Sequence, residues 1–322
     1  MAEIREIKLD ELDVEKFIAE ESERLSSEVG DEVAVNALSG GVDSSAVTML
    51  GHRALGDRLK TWFIDNGIMR EGEPQRVVEI FNELGVPVEL LDARDEFLDA
   101  LAGITDPEEK REAITQTFYK HVFARLVRES GAKYLLQGTI FTDVEETVAG
   151  IKRQHNILAQ LGIDPEKEYG YRVLEPLIRL RKPAVRRVAE ALGLPEETYA
   201  RPPFPGPALS ARVIGEATRE RIALVRKATE IVEAELASSG AFQYMAILHE
   251  DKVTGIRDGG REFGQQIEIR CWETADAVTA TPTELPFATL RNLADRMASE
   301  VPGVVSVTYN IATKPPSTME AV

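Results

Sequence analysis

The stretch Ser39-Gly40-Gly41-Val42-Asp43-Ser44-Ser45 constrains this chain more than any other, because it lies where a buried strand hands over to a helix. Val33 to Leu38 upstream is a short, mostly apolar run, and Ala46 to Leu50 downstream opens a helical pattern. A glycine pair permits positive φ and close backbone approach, and the amides at a helix N-terminus point outward. The hydroxyls of Ser39, Ser44 and Ser45 add further donors. Such a loop cradles phosphate. It differs from the pattern GxxxxGKS/T, whose lysine reaches the β and γ phosphates, because here an aspartate occupies the loop. A carboxylate beside phosphates calls for a divalent cation between them.

Composition narrows the setting of that loop. A chain of 322 residues with 43% hydrophobic residues is long enough for one large core or two domains. No apolar run approaches a membrane span, and the charged start MAEIREIKLDELDVEKF lacks the apolar core of a signal peptide. One cysteine excludes an internal disulfide and a cysteine zinc site, and a cytoplasmic location is expected. A net charge of -17 repels polyanions, so no nucleic-acid or membrane partner is expected.

Up to about residue 200, apolar runs alternate with amphipathic stretches in the manner of βαβ units. Strands are expected at 32–38, 59–65, 86–91 and 133–137, with helices at 44–55, 72–84 and 111–129. This order predicts a doubly wound parallel sheet whose ligands bind at the carboxyl ends of the strands. The loop at 39–45, Asp65-Asn66-Gly67 and Gln137-Gly138-Thr139 each follow an expected strand and gather on one rim. The proline-rich segment Arg201 to Pro207 sustains neither helix nor central strand and marks a boundary between domains at 1–200 and 201–322. Beyond it, helices at 216–236 and 287–300 and strands near 243–248, 266–272 and 304–311 form a smaller α+β unit suited to dimerisation. Gly255 to Arg261 reads as a hairpin turn, Cys271 as a strand residue, and His52, His121 and His249 show no metal-ligand spacing.

Taken together, LSGGVDSS (38–45), FIDNGIMR (63–70), DPEEKR (106–111), QGTIFTDVEET (137–147), IKRQHN (151–156), EPL (175–177), RPPFPGPAL (201–209), RVIGE (212–216) and KPPSTME (314–320) resemble the ATP-pyrophosphatase part of GMP synthetase. The resemblance implies an α/β PP-loop fold, like that of the adenine nucleotide alpha hydrolases, followed by a C-terminal dimerisation domain. It also implies a reaction: ATP activates the 2-oxygen of XMP, pyrophosphate leaves, and ammonia displaces AMP to give GMP. Pyrophosphate and magnesium fall to Ser39, Gly40, Gly41, Asp43, Ser44 and Ser45, with Gly138 and Thr139 completing the ATP site. Asp143 and Glu146 match the acids that act in catalysis and hold magnesium with Asp43, and Lys152 matches the lysine that meets the adenylyl transition state. The acceptor is assigned to Arg201, Pro205, Gly206, Arg270, Lys314, Met319 and Glu320.

Departures from the family pattern concentrate outside the phosphate loop. Arg153 and Gln154 replace a hydroxyl residue and a histidine ahead of His155 and Asn156, and Ala208 stands where the family has glycine. Ser306 occupies the place, eight positions before Lys314, of a basic residue that helps hold the nucleotide monophosphate. The 38 residues before the loop are too few for a fused glutaminase, so ammonia is expected from solution or a separate subunit. A paralogue adenylating another nucleotide or small molecule shares every ATP-site motif. A PP-loop sulfur transferase acting on tRNA is disfavoured by the single cysteine and the acidic surface.

Overall fold

The computed structural model describes residues 4–148, 166–167, 170–200, 202–275 and 278–321. They divide into two compact units. The first comprises Met1–Asp65, Glu73–Asp92 and Phe118–Arg201, and the second Asn66–Gly72, Ala93–Thr117 and Pro202–Val322.

A five-stranded sheet forms the heart of the first unit, in the order β3-β2-β1-β4-β5 with every pair parallel. The strands are β1 Ala34–Leu38, β2 Leu59–Asp65, β3 Glu89–Asp92, β4 Tyr134–Leu136 and β5 Arg172–Leu174. Sequence order reverses on either side of β1, so the loop after β1 sits at the switch point where open α/β sheets bind ligands. The central strands read as apolar runs because helices cover them, and Ala34, Val35, Leu38 and Phe63 are buried. Asn36 is the polar exception on β1. Its amide is satisfied, donating to Leu136 O at 3.3 Å and accepting from Thr48 Oγ1 at 2.8 Å. An unpaired amide at that depth costs about 1–3 kcal/mol, so this bond fixes the helix Val42–Leu55 over β1 and β4.

Two helices that periodicity passed over complete this layer. Val14–Val29 is capped by Asp13, whose carboxylate accepts from Lys16 N at 3.1 Å, and it buries Phe17, Ile18, Leu25 and Val29. Lys182–Ala191 buries Ala184, Val185, Val188 and Ala189, and both helices pack against Val42–Leu55. Two expected elements move. The strand placed at 86–91 is Glu89–Asp92, since Pro87 has no N–H to donate to a ladder. The helix placed at 111–129 starts instead at Pro107, where the Asp106 carboxylate accepts from Glu108 N at 2.9 Å and Glu109 N at 3.0 Å. It passes through a π-helical stretch, Thr117–Phe123, into Ala124–Ser130.

The second unit is built on an antiparallel hairpin, β6 Gln243–Arg257 and β7 Gly260–Glu273, both longer than expected. Asp258 and Gly259 turn it with φ of 50° and 79°, as a two-residue hairpin of this hand requires. Strand β8, Thr281–Pro282, pairs with β7 antiparallel, and β9, Val304–Tyr309, pairs with β7 in parallel. Helices Arg219–Leu236 and Phe287–Glu300 pack against β6 and β9. Ile222, Val225, Met245, Ile247, Ile267, Ile269 and Trp272 are fully or almost fully buried in this unit. Each such side chain contributes about 1.5–3 kcal/mol through burial. No helix among the described residues is long and apolar enough to cross a membrane.

Candidate functional site

In the first unit the chain leaves β1 at Leu38, turns through Ser39 to Gly41, and enters the helix Val42–Leu55. Gly41 is the N-cap and no side chain caps the helix, so its first turn offers backbone donors to an anion. Gly40 has φ of 79°, and a Cβ there would come within 3.2 Å of Val77 Cγ2. Hydroxyls set the curvature of the loop: Ser39 N donates to Ser44 Oγ at 3.2 Å, and Ser44 Oγ donates to Gly41 O at 3.0 Å. Ser45 is completely buried, and its Oγ has no partner among the described residues.

Asp43 is the charged centre of the loop. Its Oδ2 accepts from Lys182 Nζ at 2.6 Å, while Oδ1 is buried and has no hydrogen-bond partner among the described residues. Burial raises the Asp43 carboxyl above its ordinary pKa, Lys182 and Arg186 pull it back, and the Asp143 charge adds to the rise. One orphaned carboxylate oxygen, with a second carboxylate close enough to be felt, fits a divalent cation bound through oxygen. Asp143 also serves the helix Phe141–Val148, its Oδ2 accepting from Ile140 N at 3.0 Å. Glu146 lies on that helix, but its side chain, all of Lys152, His155 and Asn156, and Arg201 lie outside the described residues. Among the described residues no three His, Cys, Asp or Glu side chains assemble into a metal cluster.

Gly138 brings the end of β4 against the loop. A Cβ on it would sit 3.2 Å from both Asp43 C and Ser44 N, so a side chain would wedge the two segments apart. Thr139 is buried beside it and donates from Oγ1 to Glu175 Oε1 at 2.5 Å, which ties QGTI to EPL. Sequence reasoning assigned no role to Glu175 and missed Lys182 altogether. The basic run Arg179-Leu180-Arg181-Lys182 ahead of an amphipathic helix was the available signal.

In the second unit the acceptor candidates fall into two groups. Met319 packs against the cluster of Met245, Ile247, Trp272 and Ala280, and its carbonyl accepts from Trp272 Nε1 at 3.2 Å. Glu320 Oε1 accepts from Gln243 Nε2 at 2.7 Å, and Arg212 pairs with the same carboxylate at 3.3 Å. Gln243 Nε2 also reaches Pro203 O at 3.1 Å, so this unassigned residue joins the proline loop to the terminal segment. Arg270 is buried among Glu268 and the terminal carbonyls. Lys314 is anchored by its backbone to Ala280 of that cluster, at 2.8 and 3.1 Å. Pro205 carries a turn, accepting from Ala208 N at 2.9 Å, and Gly206 has open space around it. Ala208 holds a φ of 51°, so the left-handed backbone that glycine adopts freely is kept here at a cost of about 1–2 kcal/mol. Ser306 lies on β9 opposite Gln266.

A parallel sheet with an aspartate-bearing phosphate loop at its switch point defines a PP-loop nucleotide-binding domain. Residues 26–140 match the asparagine synthase family model, and residues 229–321 match that of the GMP synthase C terminal domain. The B subunit of the glutamine-hydrolyzing GMP synthase of Archaeoglobus fulgidus is 45% identical over 309 residues, covering 96% of this chain and 99% of that protein. Its Methanopyrus kandleri counterpart is 44% identical over 316 residues, with coverage of 96% and 99%. Against the longer glutamine-hydrolyzing GMP synthase of Aeropyrum pernix, identity is 43% over 313 residues, 94% of this chain and 60% of that protein. The chain belongs to the family of GMP synthase B subunits.

Proposed function

We propose that this chain is the ATP-pyrophosphatase subunit of a two-subunit GMP synthase. It adenylates the 2-oxygen of XMP, releases pyrophosphate, and uses ammonia to displace AMP and form GMP. The observation that carries the reading is Asp43, a carboxylate with an orphaned oxygen inside a helix-terminal phosphate loop. Such a loop grips a pyrophosphate while leaving the α-phosphorus for attack, and in-line positioning with charge neutralisation supplies most of the catalysis.

Each half of the chain takes a share of the work. Residues 1–200 hold ATP, through Ser39, Gly40, Gly41, Ser44, Ser45, Gly138 and Thr139. Magnesium would be held by Asp43, Asp143 and Glu146, and when bound it neutralises the departing pyrophosphate. Lys152 meets the charge that develops on the transferring adenylyl group. Residues 201–322 hold XMP, through Arg201, Pro205, Gly206, Arg270, Lys314, Met319 and Glu320, and join two copies into a homodimer through the part after about residue 205. Ammonia comes from a separate glutaminase subunit, in keeping with relatives named as the B subunit of a glutamine-hydrolyzing enzyme. The assembly works in the cytoplasm.

The experiment is a screen of purine monophosphates with ATP, magnesium and ammonium, with nucleotides separated by chromatography. AMP and pyrophosphate are expected, released only with XMP and accompanied by GMP. Accumulation of ADP and orthophosphate sinks the phosphate-loop assignment, and AMP release driven by another purine transfers the activity to that acceptor.

A further inference from the structure

Arg212 is a buried cation whose cost is hard to explain by stability alone. Its side chain is 1% exposed, and Nη1 has no acceptor among the described residues. A buried guanidinium without full hydrogen bonding is less favourable than an apolar side chain of the same volume. Its charge partner is Glu320, a residue 108 positions away in a terminal segment with no helix or strand of its own. Nε and Nη2 face the two carboxylate oxygens at 3.4 and 3.3 Å. Both contacts are longer than the 2.7–2.9 Å usual for charge-assisted pairs, and Gln243 Nε2 already donates to Oε1 at 2.7 Å, so together they orient the carboxylate while Oε2, held only by the longer contact, keeps lone pairs for a stronger donor. Glu320 keeps 21% of its side chain exposed.

The surroundings hold this arrangement still. Phe204 lies between Arg70 and Arg212, with the guanidinium carbons 3.8 and 4.7 Å from its ring centre. Arg70 is itself fixed by Glu233 at 2.6 Å. The backbone of the terminal segment is clamped separately. Arg270 Nη1 donates to Thr318 O at 2.8 Å and Glu320 O at 3.1 Å, and Trp272 takes the intervening Met319 O. Glu268, Arg270 and Trp272 alternate along β7 and so share one face of the strand, and Glu268 anchors Arg270 Nε at 2.6 Å.

We propose that Arg212 is a positioning residue for acceptor binding that acts through Glu320, with Arg270 and Trp272 holding the same segment by its main chain. This rests on the reading of the terminal loop as part of the acceptor site. An ionised carboxylate accepts hydrogen bonds and cannot donate them. The ligand edge it suits therefore carries ring N–H groups, as an oxopurine does, and rejects a purine edge that offers a bare ring nitrogen in the same place.

The test measures KM and kcat for XMP-dependent AMP release, with ammonium as nitrogen source, in Arg212→Lys, Arg212→Met, Glu320→Gln and the double variant Arg212→Met/Glu320→Gln. Loss of a charge-assisted contact predicts a rise of about tenfold or more in KM for XMP in Arg212→Met and Glu320→Gln. KM for ATP stays level, and Arg212→Lys recovers part of the loss. The double variant is no worse than the poorer single one, because Arg212 acts only through Glu320. Effects that multiply, or a lowered melting temperature with unchanged KM for XMP, overturn the proposal. A second readout is Trp272 emission in a Trp62→Phe background, where Arg270→Lys shifts the emission to the red as the segment loosens. If the unaltered chain releases no AMP with XMP, the proposed reaction fails, and the clamp is still decided by fluorescence: emission unmoved by Arg270→Lys refutes it.

Discussion

Replacing Lys182 with Met asks whether the phosphate loop holds a cation site before any nucleotide binds. The ammonium sits 2.6 Å from Asp43 Oδ2, and the two side chains are 44% and 26% exposed. A pair this open to solvent contributes about 1 kcal/mol, well below the roughly 3–5 kcal/mol lost when a buried pair is broken. Loss of the ammonium frees a carboxylate oxygen for a metal ion and also lets the Asp43 pKa climb, since Lys182 is the main influence holding it down. The two consequences oppose each other. Raising the pH weakens competition from protons and so favours the first. Nucleotide-free Lys182→Met is then expected to bind magnesium or manganese about fivefold more tightly, which is 1 kcal/mol in free energy. Turnover at saturating substrates falls by about tenfold or more, because a cation near the phosphates is gone. Isothermal titration with manganese measures the first effect, with Asp43→Asn as the variant that loses binding, and AMP release measures the second. Metal affinity unchanged or weakened in Lys182→Met would show that the lysine does not compete for the site.

Three further changes probe other parts of the molecule. Gly138→Ala places a methyl group 3.2 Å from the backbone of Asp43 and Ser44, so KM for ATP is expected to rise severalfold with a stability loss of about 1–3 kcal/mol in urea melts; unchanged KM would mean that the loop tolerates displacement. Lys110 is buried, with its pKa lowered to about 8 from 10.5 by desolvation, and its Nζ donates to Val213 O at 2.7 Å. The unfolded chain therefore binds more protons between about pH 8 and 10.5, and stability rises with pH across that window by up to about 3 kcal/mol. Lys110→Met should flatten that slope in denaturant titrations, and an identical slope in both proteins would assign it to other groups. Ser306→Arg supplies a guanidinium at the β9 position opposite Gln266 and is expected to lower KM for XMP by about tenfold, with KM for ATP unchanged; no change would place the acceptor phosphate elsewhere.

Elements whose signals are local were legible in the residues alone. Apolar alternation, glycine pairs and prolines fixed β1, β2, the loop at Ser39 to Ser45, the hairpin turn at Asp258-Gly259 and the helix Phe287–Glu300. The pattern of the loop is local too, because a phosphate cradle needs contiguous backbone amides and so must be written in consecutive residues. Short edge strands such as β5, three residues long, carried no such signal and exist because β4 pairs with them. The partners of the charged groups were likewise invisible. Lys182 meets Asp43 across 139 positions and Arg212 meets Glu320 across 108, and no periodicity encodes a contact made by side chains from separate elements. That Arg270 is occupied with the terminal carbonyls, that Gln243 joins two loops, and that Ala208 holds a left-handed backbone without being glycine emerges only once the chain is packed. Burial makes the difference: a charge or an amide must find its partner wherever packing places it, and packing is a property of the whole fold.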